Sequence, residues 1–210
     1  MRLKPARGAE VTDTFRQRKK ASTRQALLEA ALHLFGEKGF ARTSVDEIAA
    51  AADVSRSTFF RYFGSKEAVL FGGTEEAGEL FIGFLRARPQ EEGPFEAFEE
   101  ALVQLAKVRE EHDGREASRL LNELFLRDPS LRLRRVMETD RWAVTVAETL
   151  AKRAGRSTPS AEDRMTTYIC TAIAEEIGRA WREVDNDVPV VESVRAGFAR
   201  AREIVTSARG

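Results

Sequence analysis

The chain predicts an all-α fold, an N-terminal three-helix unit with a helix-turn-helix followed by a helical bundle, about nine helices in all. Two observations carry this. Apolar residues recur at i, i+3, i+4 and i+7, the spacing of one helix face, in segment after segment of the 210 residues. Glycine, proline and aspartate clusters punctuate the chain between those segments, at Gly72-Gly73, Pro89 to Pro94, Gly114, Asp128-Pro129, Gly155 to Pro159 and Asp185 to Pro189.

Residues 1–15, with Pro5, Gly8 and few apolar side chains, read as a flexible arm; Arg2, Lys4 and Arg7 on it would suit a nucleic-acid minor groove, but disorder with no role is the simpler reading. From Arg16 to Gly36 there is no proline, and Ala26, Leu27, Ala30, Ala31, Leu34 and Phe35 form an apolar stripe. Gly36 and Gly39 around Glu37-Lys38 read as its stop, with Phe40 returning to the core. The second helix follows, with Val45, Ile48, Ala49 and Ala52 on one face. Ser44 and Glu47, three residues apart, are a capping box at its start. Asp53-Val54-Ser55 breaks the pattern, Val54 points inward, and Ser55 caps a third helix. Helices this short need tertiary support, which the first helix supplies.

The third helix carries Arg56, Ser57, Thr58, Phe59, Phe60, Arg61 and Tyr62. Small hydroxyls and arginine near a helix start suit insertion into a DNA major groove. Arg56, Ser57 and Thr58 are the candidates for base readout, Arg56 by clamping a guanine through O6 and N7, although a solvated arginine or a phosphate contact fits it equally well. Ser44, Ser55 and Ser65 are helix caps first, and a cap can also present backbone N–H groups to phosphate. Phe59 and Phe63 read as core.

Gly39-Phe40, Thr43 to Ala49, Val54-Ser55, Thr58 to Phe63 and Ser65-Lys66-Glu67 together resemble the DNA-binding domain of the tetracycline-repressor (TetR) family. The likeness covers residues 16–71, with 72–210 left as a helical ligand-binding and dimerisation domain. It implies a homodimer that binds a palindromic double-stranded DNA operator and releases it when a small effector occupies the C-terminal domain. It also implies that Thr43, Ser44, Ser55, Arg61, Tyr62 and Lys66 lie at the DNA, with Tyr62 and Lys66 donating to backbone phosphate. Phe60 replaces the tyrosine usual at its position and so lacks a hydroxyl.

Charge supports this division of labour. Through Gly72 there are 13 Lys and Arg against 8 Asp and Glu, and in the remainder 21 against 26, so a formal net charge of zero conceals a basic head and an acidic tail. The tail is expected to be helical near 65–87, 94–112, 115–127, 130–154, 160–184 and 190–207. Phe81, Phe84, Phe98, Leu102, Leu121, Phe125, Trp142 and Tyr168 are candidates to line a pocket, with Arg119, Arg141 and His112 as polar neighbours. Ordinary packing explains any one of them. Val69 to Gly72, Arg127 to Arg132 and Arg141-Trp142 are similar to a mycofactocin-regulator-like subgroup. That likeness implies a lipophilic effector such as an acyl-coenzyme A, its head met by Arg119 or Arg141. The family pairs its last two helices across a twofold axis, which here makes 160–184 and 190–207 the dimer segments and Ile169, Ile173, Ile177, Trp181, Val194, Phe198 and Ile204 the seam.

An enzyme is the rival from another class, and the residues argue against it. Two histidines, His33 and His112, a single cysteine, no metal-ligand spacing and no glycine-rich phosphate loop leave little to build a catalytic or cofactor site from. Glu99-Glu100 and Glu175-Glu176 are expected to be solvated, and Cys170 to be a small buried hydrophobe. A helix-turn-helix activator or architectural protein without an effector is the nearer competitor. No apolar run approaches a signal peptide or membrane span, so a cytoplasmic protein is expected.

Overall fold

A computed structural model describes residues 7–110, 115–183 and 188–207. Among them are nine helices: α1 (Arg7–Lys38), α2 (Val45–Ala51), α3 (Arg56–Tyr62), α4 (Lys66–Arg86), α5 (Pro94–Glu110), α6 (Arg115–Arg127), α7 (Pro129–Arg153), α8 (Ala161–Glu183) and α9 (Val190–Ser207). The chain divides into two compact units, Met1–Gly72 and Gly73–Gly210. The division falls inside α4, which runs without a break through Gly72-Gly73. The expected arm is shorter than the composition suggested, because α1 is already helical at Arg7. Arg2, Lys4, His112 and the side chain of Arg7 lie outside the described residues.

In the N-terminal unit α1 buries Leu27, Ala31, Leu32 and Phe35, against which α2 sets Ile48 and Ala49 and α3 sets Phe59. Gly36 does not stop α1. Gly39 does, with φ +86, a left-handed conformation that costs glycine nothing, and its N–H donates to the Phe35 carbonyl at 3.0 Å. Phe40 then stacks on Phe35, centroids 5.1 Å apart.

The C-terminal unit is built on α5, α7, α8, α9 and the second half of α4, whose shared core holds Phe81, Phe98, Val146, Leu150, Cys170, Ile177, Val194 and Phe198. Burial of Cys170 pushes its thiol up to about 12, so it stays protonated and inert. Asp128 caps α7 by accepting from the N–H groups of Ser130 and Leu131, with Pro129 at the first helical position. The turn into α8 closes on Asp163, which accepts from the Ser160 N–H at 2.7 Å and pairs with Arg156 at 2.6 Å. Burial works against its charge, but Arg156 and Ser160 prevail and leave Asp163 below the usual carboxylate range.

Two expectations change here. Glu99 is not solvated: it is buried, 4% exposed, and its carboxylate is shared by Arg195 and Arg202 of α9. A carboxylate survives burial only when paired in this way. Of the expected seam residues, Ile169 and Ile204 are exposed, whereas Ile177, Val194 and Phe198 are buried within the unit and Ile173 packs against them. Gly197 explains why. A Cβ there would collide with Ile177, so α9 lies directly on α8 of the same chain.

Candidate functional site

The helix-turn-helix is α2, a turn and α3. Ser44 accepts from the Glu47 N–H while the Glu47 carboxylate accepts from the Ser44 N–H at 2.8 Å, which completes the expected capping box. Lys38 reaches the same carboxylate from the end of α1. Hydrogen bonds from Lys38, then from Ser44, hold Glu47 at about 2, far below its ordinary 4.5. In the turn Asp53 takes a positive φ of 52, which aspartate tolerates better than most residues. Ser55 caps α3 by accepting from the Thr58 N–H at 3.1 Å.

This geometry sets α3 with one face inward and one outward. Phe59 is fully buried and Phe63 nearly so, as expected. Ser55, Arg56, Ser57, Phe60 and Arg61 are exposed, while Thr58 and Tyr62 are half-buried. The hydroxyls of Ser57 and Thr58 lie 2.9 and 3.0 Å from that of Ser55, a small polar cluster at the helix start. The Arg56 guanidinium lies over the Phe60 ring at 5.4 Å and pairs with Asp46 of α2 at 2.6 Å. Phe60 thus replaces a phenol by a flat apolar rest for arginine.

Ser55, Thr58, Arg61 and Tyr62 also form one wall of a surface cleft of about 690 Å³, whose other wall is Lys19, Lys20 and Thr23 of α1. Arg61 lies over the Tyr62 ring at 5.4 Å. Three cations and several hydroxyls outweigh the Asp53 carboxylate that also lines the concavity, and the net positive charge suits a phosphate backbone. Lys19 and Lys20 were not singled out in the sequence, where they are two of many charges. Only the approach of α1 to the turn joins them to α3.

Two candidates fall away from the surface. Thr43 is buried, 2% exposed, with its hydroxyl donated towards the Gly39 carbonyl at 3.0 Å and the Leu34 carbonyl at 3.3 Å. It locks the α1–α2 turn and is corrected to a structural residue. Lys66 is half-buried, its ammonium donating to the carbonyls of Phe40 at 2.9 Å and Thr43 at 3.2 Å and lying 4.3 Å from the Phe40 ring centre. Most of its donor capacity is committed inside the fold. Ser44 stays exposed beside it.

In the C-terminal unit the candidate pocket residues separate into two groups. Phe81, Phe98 and Trp142 converge, with ring centres 4.7, 5.2 and 6.0 Å apart, and Phe84 and Leu102 pack beside them. The Trp142 indole N–H is sealed from solvent without a hydrogen-bond acceptor, against Gly78 of α4. The others do not converge there. Arg141 is exposed and pairs with Glu138 of its own helix at 3.1 Å. Tyr168 is also exposed, donating to Asp140 at 3.3 Å. Arg119 donates to the Arg182 carbonyl at 2.9 Å, which ties α6 to α8. Phe125, with half-buried Leu121 on the same helix, is buried under the Arg135 guanidinium at 5.4 Å. Among the described residues no group of His, Cys, Asp and Glu could hold a metal ion, and no helix is long and apolar enough to cross a membrane.

An all-helical chain with a capped helix-turn-helix ahead of a separate helical unit has the form of a ligand-responsive, DNA-binding transcriptional regulator. Residues 27–71 match the family described as bacterial regulatory proteins, tetR family, and residues 92–205 match the MftR C-terminal domain. The transcriptional regulator TcmR of Streptomyces glaucescens is 31% identical over 79% of this chain and 76% of its own. MftR of Mycobacterium tuberculosis, named for regulation of mycofactocin biosynthesis, is 26% identical over 86% of this chain and 90% of its own. The fold is shared with the fatty acid degradation regulator FadR of Bacillus halodurans, at TM-score 0.55 and 22% identity over 85% of this chain and 94% of that one. It is shared also with Salmonella enterica GusR, at 0.53 and 21% over 88% and 94%. The chain belongs to the TetR family, and like its relatives it is a transcriptional regulator and not an enzyme.

Proposed function

We propose that this regulator acts in the cytoplasm as a homodimeric repressor, holding a palindromic operator through α3 and the cleft beside it until a lipophilic effector enters the C-terminal unit. The exposed start of α3 carries the reading. Ser57 and Arg56 face solvent there, Arg56 held in a surface ion pair that is weak enough to exchange for a guanine edge. Lys19, Lys20, Arg61 and Tyr62 supply phosphate contacts that fix register without selecting sequence.

The effector reading rests on Trp142. A buried N–H without an acceptor is unfavourable by about 1–3 kcal/mol, and a ligand that brings an acceptor recovers it. The rings of Phe81 and Phe98 beside it favour an apolar, flat or chain-like body. Arg119 is tied to the Arg182 carbonyl, whereas Arg141 is exposed in a surface pair with Glu138 that an anionic head can displace. A lipophilic molecule with a carbonyl-type acceptor answers the Trp142 N–H.

Binding isotherms on operator variants test the first part. Arg56→Ala is expected to relax discrimination at one base pair in each half-site by about 1–3 kcal/mol. Equal losses on every variant would reject base readout by Arg56. Melting temperature measured with neutral ketones, fatty acids and acyl-coenzyme A species tests the second, because a ligand that prefers the native state raises it. Hits must then release the operator.

A further inference from the structure

On the exposed side of the helix-turn-helix a carboxylate stands among the DNA-facing groups. Asp46 lies in the first turn of α2, more than half exposed, and accepts from Arg56 Nη1 of α3 at 2.6 Å. Its neighbour Glu47 cannot take its place, being engaged by Ser44 and Lys38. A carboxylate on a surface that meets phosphate weakens binding to any duplex, so its position calls for a compensating use. Phe60 supplies the other half of the arrangement, its ring 5.4 Å below the guanidinium. Held at Nη1 by the acid and on one face by the ring, Arg56 keeps its Nε–Nη2 edge without a hydrogen bond among the described residues. That edge is a two-pronged donor, which matches O6 and N7 of guanine.

We propose that Asp46 is a positioning residue that determines specificity: with Phe60 it holds Arg56 so that guanine is met without loss of the ion pair, whereas a phosphate on the groove wall is reached only by swinging off both. The proposal rests on base readout by Arg56, proposed above, and adds the residue that enforces it. Magnitudes place the effect on selection rather than on overall affinity. On guanine the pre-set side chain is spared the ordering cost of a free arginine, which is on the order of 2- to 10-fold in affinity. On any other base pair the guanidinium gains from phosphate only what remains after the pair is broken, and an exposed pair withholds up to about five-fold. Together the two effects raise discrimination at the Arg56 base pair by roughly ten-fold.

Fluorescence anisotropy of the full chain tests this on a palindromic duplex selected from random sequence and on duplexes changed at single base pairs, at several salt concentrations. Arg56→Ala first locates its base pair. Asp46→Asn is expected to lower discrimination there by roughly ten-fold and to leave discrimination at other positions as it was. Its salt dependence is expected to steepen more on the changed duplexes than on the selected one, by about 0.9 in slope for each changed half-site, because the freed guanidinium takes a phosphate there. Asp46→Glu keeps the charge and is expected to restore discrimination to within a few-fold of wild type. In an Arg56→Ala background Asp46→Asn is expected to shift every duplex alike, since nothing remains to be positioned. Should Asp46→Asn lose helicity by circular dichroism, Asp46→Ser decides in its place. Equal losses for Arg56→Ala on every duplex overturn base readout and this proposal with it. Where Arg56 does select a base pair, a uniform gain for Asp46→Asn on all duplexes overturns the proposal alone, because the acid then only repels DNA.

Discussion

Glu47 shows how much one carboxylate can organise. It closes the capping box with Ser44 and receives the Lys38 ammonium, so the end of α1 and the start of α2 meet at one charge. The folded state holds it near 2 against an ordinary 4.5, which means the unfolded chain takes up the proton first as pH falls. The stabilisation is therefore complete above about pH 4.5 and is lost as pH drops towards 2. Urea midpoints of wild type and Glu47→Gln are expected to differ most above pH 4.5, to draw closer below it and to converge only towards pH 2. A constant difference across that interval would show that the cap acts without its charge. Thr43, Lys66 and Arg153 do comparable work on carbonyls: Arg153 donates to those of Leu85, Arg88 and Pro89, which close the end of α4.

Among the helices, α8 and α9 have the tightest fit. Gly197 leaves no room for a methyl beside Ile177, and Phe198 follows it into a ring stack with Phe95 and Phe98. Gly197→Ala is expected to destabilise the chain by about 1–3 kcal/mol through overpacking, even though alanine is the better helix former. Equilibrium unfolding in urea reads this directly. An unchanged or higher midpoint would mean that α9 can slide on α8. By comparison α4, with Gly72, Gly73, Gly78 and Gly83, gives up intrinsic helix stability along the only described helix that passes from one unit into the other.

For the molecule entire, charge is unevenly shared between head and tail. A basic head that neutralises phosphates makes operator affinity fall with salt. Replacing Lys19, Lys20 and Arg61 together by Gln is expected to flatten the dependence of log affinity on log salt by up to about three units per subunit, at roughly 0.9 for each phosphate that is no longer neutralised. Preference among operator sequences is expected to stay as it was. A slope unchanged by the triple variant would place the cleft away from the DNA backbone.

The capping box, the Ser55 cap, the apolar stripe of α1 and the punctuation between helices were all legible in the chain, because caps and periodicity act over a few residues and leave a local pattern. Side-chain direction on a long amphipathic helix was not. Thr43 and Lys66 sit within the family-like motif yet turn onto the fold's own carbonyls. Glu99 looks like any surface glutamate until α9 brings two arginines to it. Ile177, Val194 and Phe198 have the right spacing for a seam between copies, and spacing is equally satisfied by a neighbour in the same chain. Which neighbour fills a face depends on packing between residues far apart in sequence, and only the tertiary structure determines that.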